Sequence, residues 1–298
     1  MTNTLLEHFA KGTQKTVTGS KIGCEIETIF VFADTGMPVS LAVSQAVRGA
    51  TEGRPTGCIN KIELSRATHE LAIGPCGSFE ELLDLAHCSL AWQYQVADRY
   101  GAVPLFAPEI RWGGSLLDPS EDRDQLWLRL DGAVALEQLV CASVQFTVDV
   151  HPHDAIPIIN ELWRRRLHEV DFAPNHRRWQ NYIALSNAGY DPLRYGGPAG
   201  FQEGVDDLAD YVRQLSLHDV VMHGDQLVRL NAQCVPDLNI DLFLRSVWWH
   251  YRLRRPEIGP ESNRRPGSTL AVEIRPIARR DDDCLERYWR LIAPVFGL

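Results

Sequence analysis

Lysine is scarce in this chain. Lys11, Lys15, Lys21 and Lys61 are the four present in 298 residues, so arginine supplies 26 of the 30 basic side chains. Acidic residues number 39, leaving a net charge of -9, and such a surface lacks the basic excess that a phosphate backbone attracts first, which argues against a general nucleic-acid binder. No apolar run approaches the roughly 20 residues that cross a bilayer, and "MTNTLLEHFAKGTQKT" has no long apolar stretch of a secretory signal. The expectation is a cytoplasmic protein without a membrane partner. Seven cysteines, an odd number with no C-x-x-C among them, read as reduced thiols in the core rather than a metal finger or disulfide framework. There is no G-x-x-x-x-G-K-[ST] loop, no G-x-G-x-x-G after a strand and no G-x-S-x-G elbow, so a P-loop enzyme, a Rossmann dehydrogenase and a serine hydrolase find no support.

What is present is a 45% hydrophobic chain long enough to bury a sizeable core. Arginines cluster in "WRRRLHEV", "HRRW", "YRLRRPE" and "NRRPG". Their planar forks suit carboxylates and phosphates, although such clusters also occur on solvated helix faces. Periodicity predicts strands at 21–33, 58–64, 69–73, 141–150 and 268–277. Helices are expected over 78–100, 154–169, 204–217, 237–252 and 282–292. The first of these helices opens on a capping box, Ser78 with Glu81. No linker divides the chain, and the pattern predicts one α+β domain over residues 1–298.

Strand side chains alternate between faces, and three strands divide in the same way. In "GCEIE", Gly23, Glu25 and Glu27 lie opposite Ile22, Cys24 and Ile26. In "CASVQFTVDV", Ser143, Gln145, Thr147 and Asp149 share a face, and in "STLAVEIRPI" Glu273 and Arg275 do. "KIELSRATHELA" adds Glu63 and Glu70. A sheet with one wet face gives this pattern. A face of carboxylates with an arginine also fits a site for a hard divalent cation and phosphates, because adjacent carboxylates repel unless a cation lies between them.

The ordered series "GCEIE", "IELSRATHELA", "ASVQFTVD", "HYRLRR" and "LAVEIRPIA" resembles the glutamate-cysteine ligase family and its relatives, the carboxylate-amine ligases with a glutamine-synthetase-like fold. The resemblance covers roughly residues 21 to 280. It implies a curved antiparallel sheet with helices packed on its convex side and a concave face that takes ATP and Mg²⁺. Glu25, Glu27, Glu70 and Glu273 match the family's metal-binding glutamates, with Glu63 the less regular match. Gln145 matches the glutamine of the central strand beside the nucleotide. Arg275 matches the arginine of E-x-R near phosphate, and Arg252 the arginine before it that faces substrate or phosphates.

Two departures stand out: Thr147 where the family often has Asn or His, and Ala278 where an aspartate is common. The implied reaction is ADP-forming amide synthesis between an amino-acid carboxylate and an amine through an acyl phosphate, with the acid unassigned and glutamate the leading choice. Phosphotransfer on the same fold, and nucleotide binding without catalysis, are the other two readings. The implied partners are small molecules, and homo-oligomerisation is compatible with them.

Other features read as structural. "HPHD" places His151 and His153 in a turn, His218 and His223 are expected to pack, "GGPAG" at 196–200 reads as a turn, and Trp248, Trp249, His250 and Tyr251 are expected on helix faces.

Overall fold

The computed structural model of the protein describes residues 2–10, 21–52, 55–106, 116–118, 122–167, 173–197, 204–217, 220–223, 226–229, 240–255 and 270–298. The chain runs α1 (Thr2–Ala10), β1 (Ile22–Phe32), α2 (Leu41–Thr51), β2 (Cys58–Ile62), β3 (Thr68–Cys76), α3 (Phe79–Asp98) and β4 (Ala102–Leu105). It continues through α4 (Asp122–Asp131), α5 (Ala133–Leu136), β5 (Ser143–Val150), α6 (Ala155–Arg164), α7 (Ala173–Leu185), β6 (Tyr195–Gly196) and α8 (Leu208–Leu215). The last elements are β7 (Val220–His223), β8 (Gln226–Arg229), α9 (Ile240–Arg245), β9 (Trp248–Trp249), β10 (Tyr251–Arg254), β11 (Leu270–Ala278) and α10 (Cys284–Ile292).

Seven strands form an open antiparallel sheet in the order β10-β11-β5-β1-β3-β2, with β4 also paired to β1. This is the α+β architecture that the strand patterns predict. Register follows the alternation, since a one-residue slip would turn every apolar side chain outward. Ile26 faces Val144 on one side and Leu71 on the other, and Cys24 faces Phe146 and Ile73. Between Ile22 and Cys24 the β1–β3 register shifts. There Gly74 (φ +104°) passes so close to β1 that a Cβ would lie 2.8 Å from the Ile22 carbonyl oxygen, an approach only glycine allows.

The apolar face carries the main core. Val144, Phe146, Val148, Val272 and Ile274 meet Leu82, Ala86 and Leu90 of α3, Ile159 and Leu162 of α6, and Leu285 and Trp289 of α10. Phe79 stacks on Trp289 with ring centroids 4.9 Å apart. Helix α3 starts where the capping box places it: Ser78 Oγ accepts from Glu81 N at 3.2 Å, and Glu81 Oε2 accepts from Gly77 N at 2.6 Å. Six cysteines are described, all as free thiols; five are buried and Cys88 is exposed, while Cys234 lies outside the described residues.

Three expectations need correction. The helix over 237–252 ends at Arg245, and residues 248–254 turn into strands, so Trp248, Trp249 and Tyr251 pack from strands rather than helix faces. The unbroken apolar run "VWWHY" hid the alternation in which Tyr251 and Leu253 are buried and Arg252 and Arg254 face the other way. Helices α1, α2, α4, α5 and α7 were not predicted; α2 buries Ser44, Val47 and Thr51, a stripe too polar to stand out. Helices also lie over the polar face of the sheet, where Ala135 and Leu136 of α5 pack with Trp179, Tyr182 and Ile183 of α7 in a separate apolar cluster. His151 and His153 stand in an exposed turn with stacked rings. His218 and the side chain of His223 lie outside the described residues, as does most of "GGPAG". Among the described residues no helix is long and apolar enough to cross a membrane.

Candidate active site

The polar face of the sheet and the helices above it enclose a cavity of about 330 Å³. All eight residues singled out by resemblance line it: Glu25, Glu27, Glu63, Glu70, Gln145, Arg252, Glu273 and Arg275. Strand pairing explains their convergence. Glu27 on β1 faces Glu70 on β3, and Glu70 faces Lys61 on β2. Glu25 faces Gln145 on β5; Thr147 faces Glu273 on β11, which faces Arg252 on β10. Glu63 follows β2, where its N–H donates to the Thr68 carbonyl at 2.9 Å and brings its side chain beside Glu27 and Glu70.

The site has an acidic half and a basic half. In the acidic half, burial and the charges of Glu70 and Glu273 push the Glu25 carboxyl up to about 7. Glu25 keeps 28% of its side-chain surface accessible and lines the cavity. Burial and Glu63 push Glu27 up to about 8, although Ser143 N donates to its Oε2 at 2.9 Å. Glu70 is raised by burial and Glu63 despite its ion pair with Lys61 Nζ.

In the basic half the balance reverses. Burial alone would raise Glu273, but Arg252, Arg275 and Arg254 outweigh it and hold the carboxyl well below the usual range. Arg252 Nε donates to Glu273 Oε2, and Arg254 Nη1 donates to Oε1 at 2.9 Å. Arg252 Nη1 also donates to the Leu244 and Val247 carbonyls, both at 3.1 Å, so much of its fork is committed to the protein. Arg275 differs. Its Nε donates to Gln145 Oε1 at 3.3 Å, its Nη1 has no hydrogen-bond partner among the described residues, and burial with the Arg252 charge pulls its pKa down to about 10. A buried donor left unpaired costs about 1–3 kcal/mol.

An aromatic wall that sequence reasoning missed completes the cavity. The Arg275 guanidinium lies 4.8 Å from the Trp248 ring centroid and 5.5 Å from that of Trp179. Trp127 meets Trp248 edge-on at 6.3 Å. The wall is held from behind by Asp131 and Arg194, a bidentate pair at 2.8 and 3.0 Å that is almost wholly buried. Arg194 Nε donates to the Ser246 carbonyl at 2.8 Å, and Tyr182 donates to Asp131. Residues 195–196 pair in parallel with 248–249, and the Arg275 N–H donates to the His250 carbonyl at 2.9 Å, which seats Trp248 beside Arg275. The tryptophans come from α4, α7 and β9, far apart in sequence, so no local motif marks them.

The acidic half offers carboxylate oxygens, the donor set of a hard cation, and burial with mutual repulsion raises the carboxyls of Glu25, Glu27 and Glu70 even beside Lys61, so the residues fit Mg²⁺. Among the described residues no group of three or more His, Cys, Asp or Glu is already arranged to hold a metal ion. Glu70 is engaged by Lys61, and Glu273 by Arg252 and Arg254.

No protein-family model and no curated protein matches the chain. Solved structures do. A glutamate–cysteine ligase from Francisella tularensis, in complex with AMP, aligns over 94% of this chain and 67% of its own at 11% identity, with a TM-score of 0.51. A bifunctional glutathione synthetase from Pasteurella multocida aligns over 100% of this chain and 41% of its own at 11% identity, TM-score 0.46. A glutamine synthase homolog aligns over 99% and 58% at 11% identity, TM-score 0.44. The chain thus spans under two thirds of the length of two of these three proteins. The likeness to the glutamate–cysteine ligase is one of fold: this chain has a carboxylate–amine-ligase-like fold.

Proposed function

We propose that the protein is an ATP-dependent ligase that joins a carboxylate to an amine, forming ADP, by way of an acyl phosphate. The observation that carries this reading is the split of one cavity into a carboxylate row, Glu25, Glu27, Glu63 and Glu70, and an arginine group around Glu273. Glu25, Glu27 and Glu70 would hold Mg²⁺, with Glu63 beside them. The metal, when bound, screens the charge of the phosphate oxygens.

The chain's own residues do the rest. Arg275, with an unpaired Nη1, meets the negative charge of the phosphoryl group during transfer, and its stacking on Trp248 and Trp179 fixes its plane. Glu273 acts as the anchor of the arginines, and Arg252 as a strut between Glu273 and the Leu244 and Val247 carbonyls at the end of α9, a different role from the substrate contact implied by resemblance. Gln145 orients Arg275. The substrate carboxylate attacks the γ-phosphorus and the bond to ADP breaks; the amine nitrogen then attacks the acyl carbon and phosphate leaves.

The test is to incubate the purified protein with ATP, Mg²⁺, hydroxylamine and a panel of acids that includes glutamate, then to assay hydroxamate and nucleotide products. Hydroxamate with ADP is expected. Hydroxamate with AMP would refute the phosphoryl route, ADP release onto a non-carboxylate acceptor would favour a phosphotransferase, and no product with any acid would favour a nucleotide binder.

A further inference from the structure

The cavity has a third surface whose part in phosphate chemistry is limited to steadying Arg275. Trp127, Trp179 and Trp248 form a wall with Leu64, Leu136 and Val140, all of them lining the cavity. An aromatic wall is not needed to bind Mg²⁺ or phosphates, which gain nothing from hydrocarbon. Its protein-facing side is accounted for: Trp248 packs edge-on with Trp179 at 5.7 Å and with Tyr182 at 5.6 Å. Trp127 lies at the rim of the cluster, half-buried, and reaches it through the edge of Trp248.

Two donors of this wall, Trp248 Nε1 and Arg275 Nη1, have no hydrogen-bond partners among the described residues. Arg275 keeps 9% of its side-chain surface accessible and lines the cavity, so an acid lying against the wall can set its carboxylate on the guanidinium. We propose that the wall is the subsite for the acid substrate, and that this acid carries a flat aromatic group: its carboxylate pairs with Arg275 while the ring lies on Trp127 and Trp248. The inference rests on the ligase reading for the word substrate, but the binding it describes does not require turnover.

Adenine is the competing flat group, and geometry disfavours it here. The Arg275 guanidinium carbon lies 4.8 Å from the Trp248 ring centroid, so an anion paired with Arg275 stands next to the wall. In a nucleotide a whole ribose stands between the base and its phosphates. A short arylalkyl acid spans the distance without such a spacer.

The experiment is calorimetric titration, without nucleotide, of the wild-type protein with 3-phenylpropionate, propionate and glutamate, and separately with Mg²⁺ and a non-hydrolysable ATP analogue. Phenylpropionate should bind about tenfold or more tighter than propionate, the scale of one aromatic contact plus its buried area. Trp127→Ala should erase that advantage, Trp127→Phe should retain most of it, and neither should change the affinity for the ATP analogue; melting curves of both variants verify folding. If Trp127→Ala weakens the analogue and leaves the acids alone, the wall holds adenine and the proposal is wrong. Equal binding of propionate or glutamate, or no binding of any acid, overturns it as well. A protein that binds phenylpropionate through Trp127 yet forms no hydroxamate would refute the ligase reading while leaving this subsite standing.

Discussion

Glu27 on β1 stands directly across the strand pair from Glu70 on β3, two carboxylates held side by side by backbone register. Like charges directly opposite in a sheet destabilise it, and here Lys61, paired to Glu70 from the next strand, offsets part of that repulsion. Replacing Glu27 by Gln removes one of the two charges while keeping the acceptor for the Ser143 N–H. The variant is expected to melt a few degrees higher than the wild type at pH 8.5 without metal, and to lose both the Mg²⁺-induced rise in melting temperature and Mg²⁺-dependent turnover. A wild-type response to Mg²⁺ in this variant would remove Glu27 from the metal site.

The raised carboxyls set a pH dependence. Glu25, at about 7, and Glu27, at about 8, retain protons in the folded protein that the unfolded chain releases near its ordinary value of 4.5. Their contribution to stability is therefore fully present below about pH 4.5 and is lost as pH rises through 7 and 8. Cation binding needs the ionised forms, so the stabilisation by Mg²⁺ should grow over the same interval. Melting curves from pH 5 to 9, with and without Mg²⁺, test both slopes; a Mg²⁺ effect that is flat with pH would contradict the assignment.

His69 gives the opposite slope. Its ring is buried against Phe30 at 5.1 Å, and burial, with a smaller effect of Arg48, pulls its pKa down to about 3. The unfolded chain takes up a proton near pH 6.5, so stability is lost as pH falls from there toward 3, at up to about 1.4 kcal/mol per pH unit for this one group. His69→Leu should flatten that part of the acid limb in urea titrations between pH 6.5 and 4. An unchanged slope would mean that other groups dominate it.

Arg275→Lys should lower turnover about 100-fold or more while changing affinity for the ATP analogue far less. A lysine cannot stack its charge as a plane on Trp248 or present two donors to a phosphoryl group. A loss confined to nucleotide affinity would reassign Arg275 to ground-state recognition.

Asp131→Asn leaves the Arg194 guanidinium buried without its counter-charge and should cost about 3–5 kcal/mol in urea denaturation. The cost should be much smaller in the double variant with Arg194→Met, since no buried charge is then stranded. Equal losses in the single and double variants would argue against that account.

Local pattern was enough for the strand faces. Alternation in residues 22–27, 143–149 and 270–275 determined which side chains point together, because successive residues on a strand have no other choice, and the resemblance put roles on them. The capping box at Ser78 was legible for the same reason: its partners lie within four residues. Glu63 and Lys61 were harder to place, since the closeness of Glu63 to Glu27 and of Lys61 to Glu70 and Glu25 depends on β3 pairing with both β1 and β2. The turn from α9 into β9 and β10 went unread because tertiary pairing with β6 and β11, not local propensity, makes those residues strand. The aromatic wall, the Asp131–Arg194 pair behind it and the binding of Arg252 to Glu273 were decided by tertiary structure alone, for they join segments up to 148 positions apart, as between Trp127 and Arg275. Over such separations the sequence carries residue identities but no distances, and only the closed cavity shows which charges and rings share it.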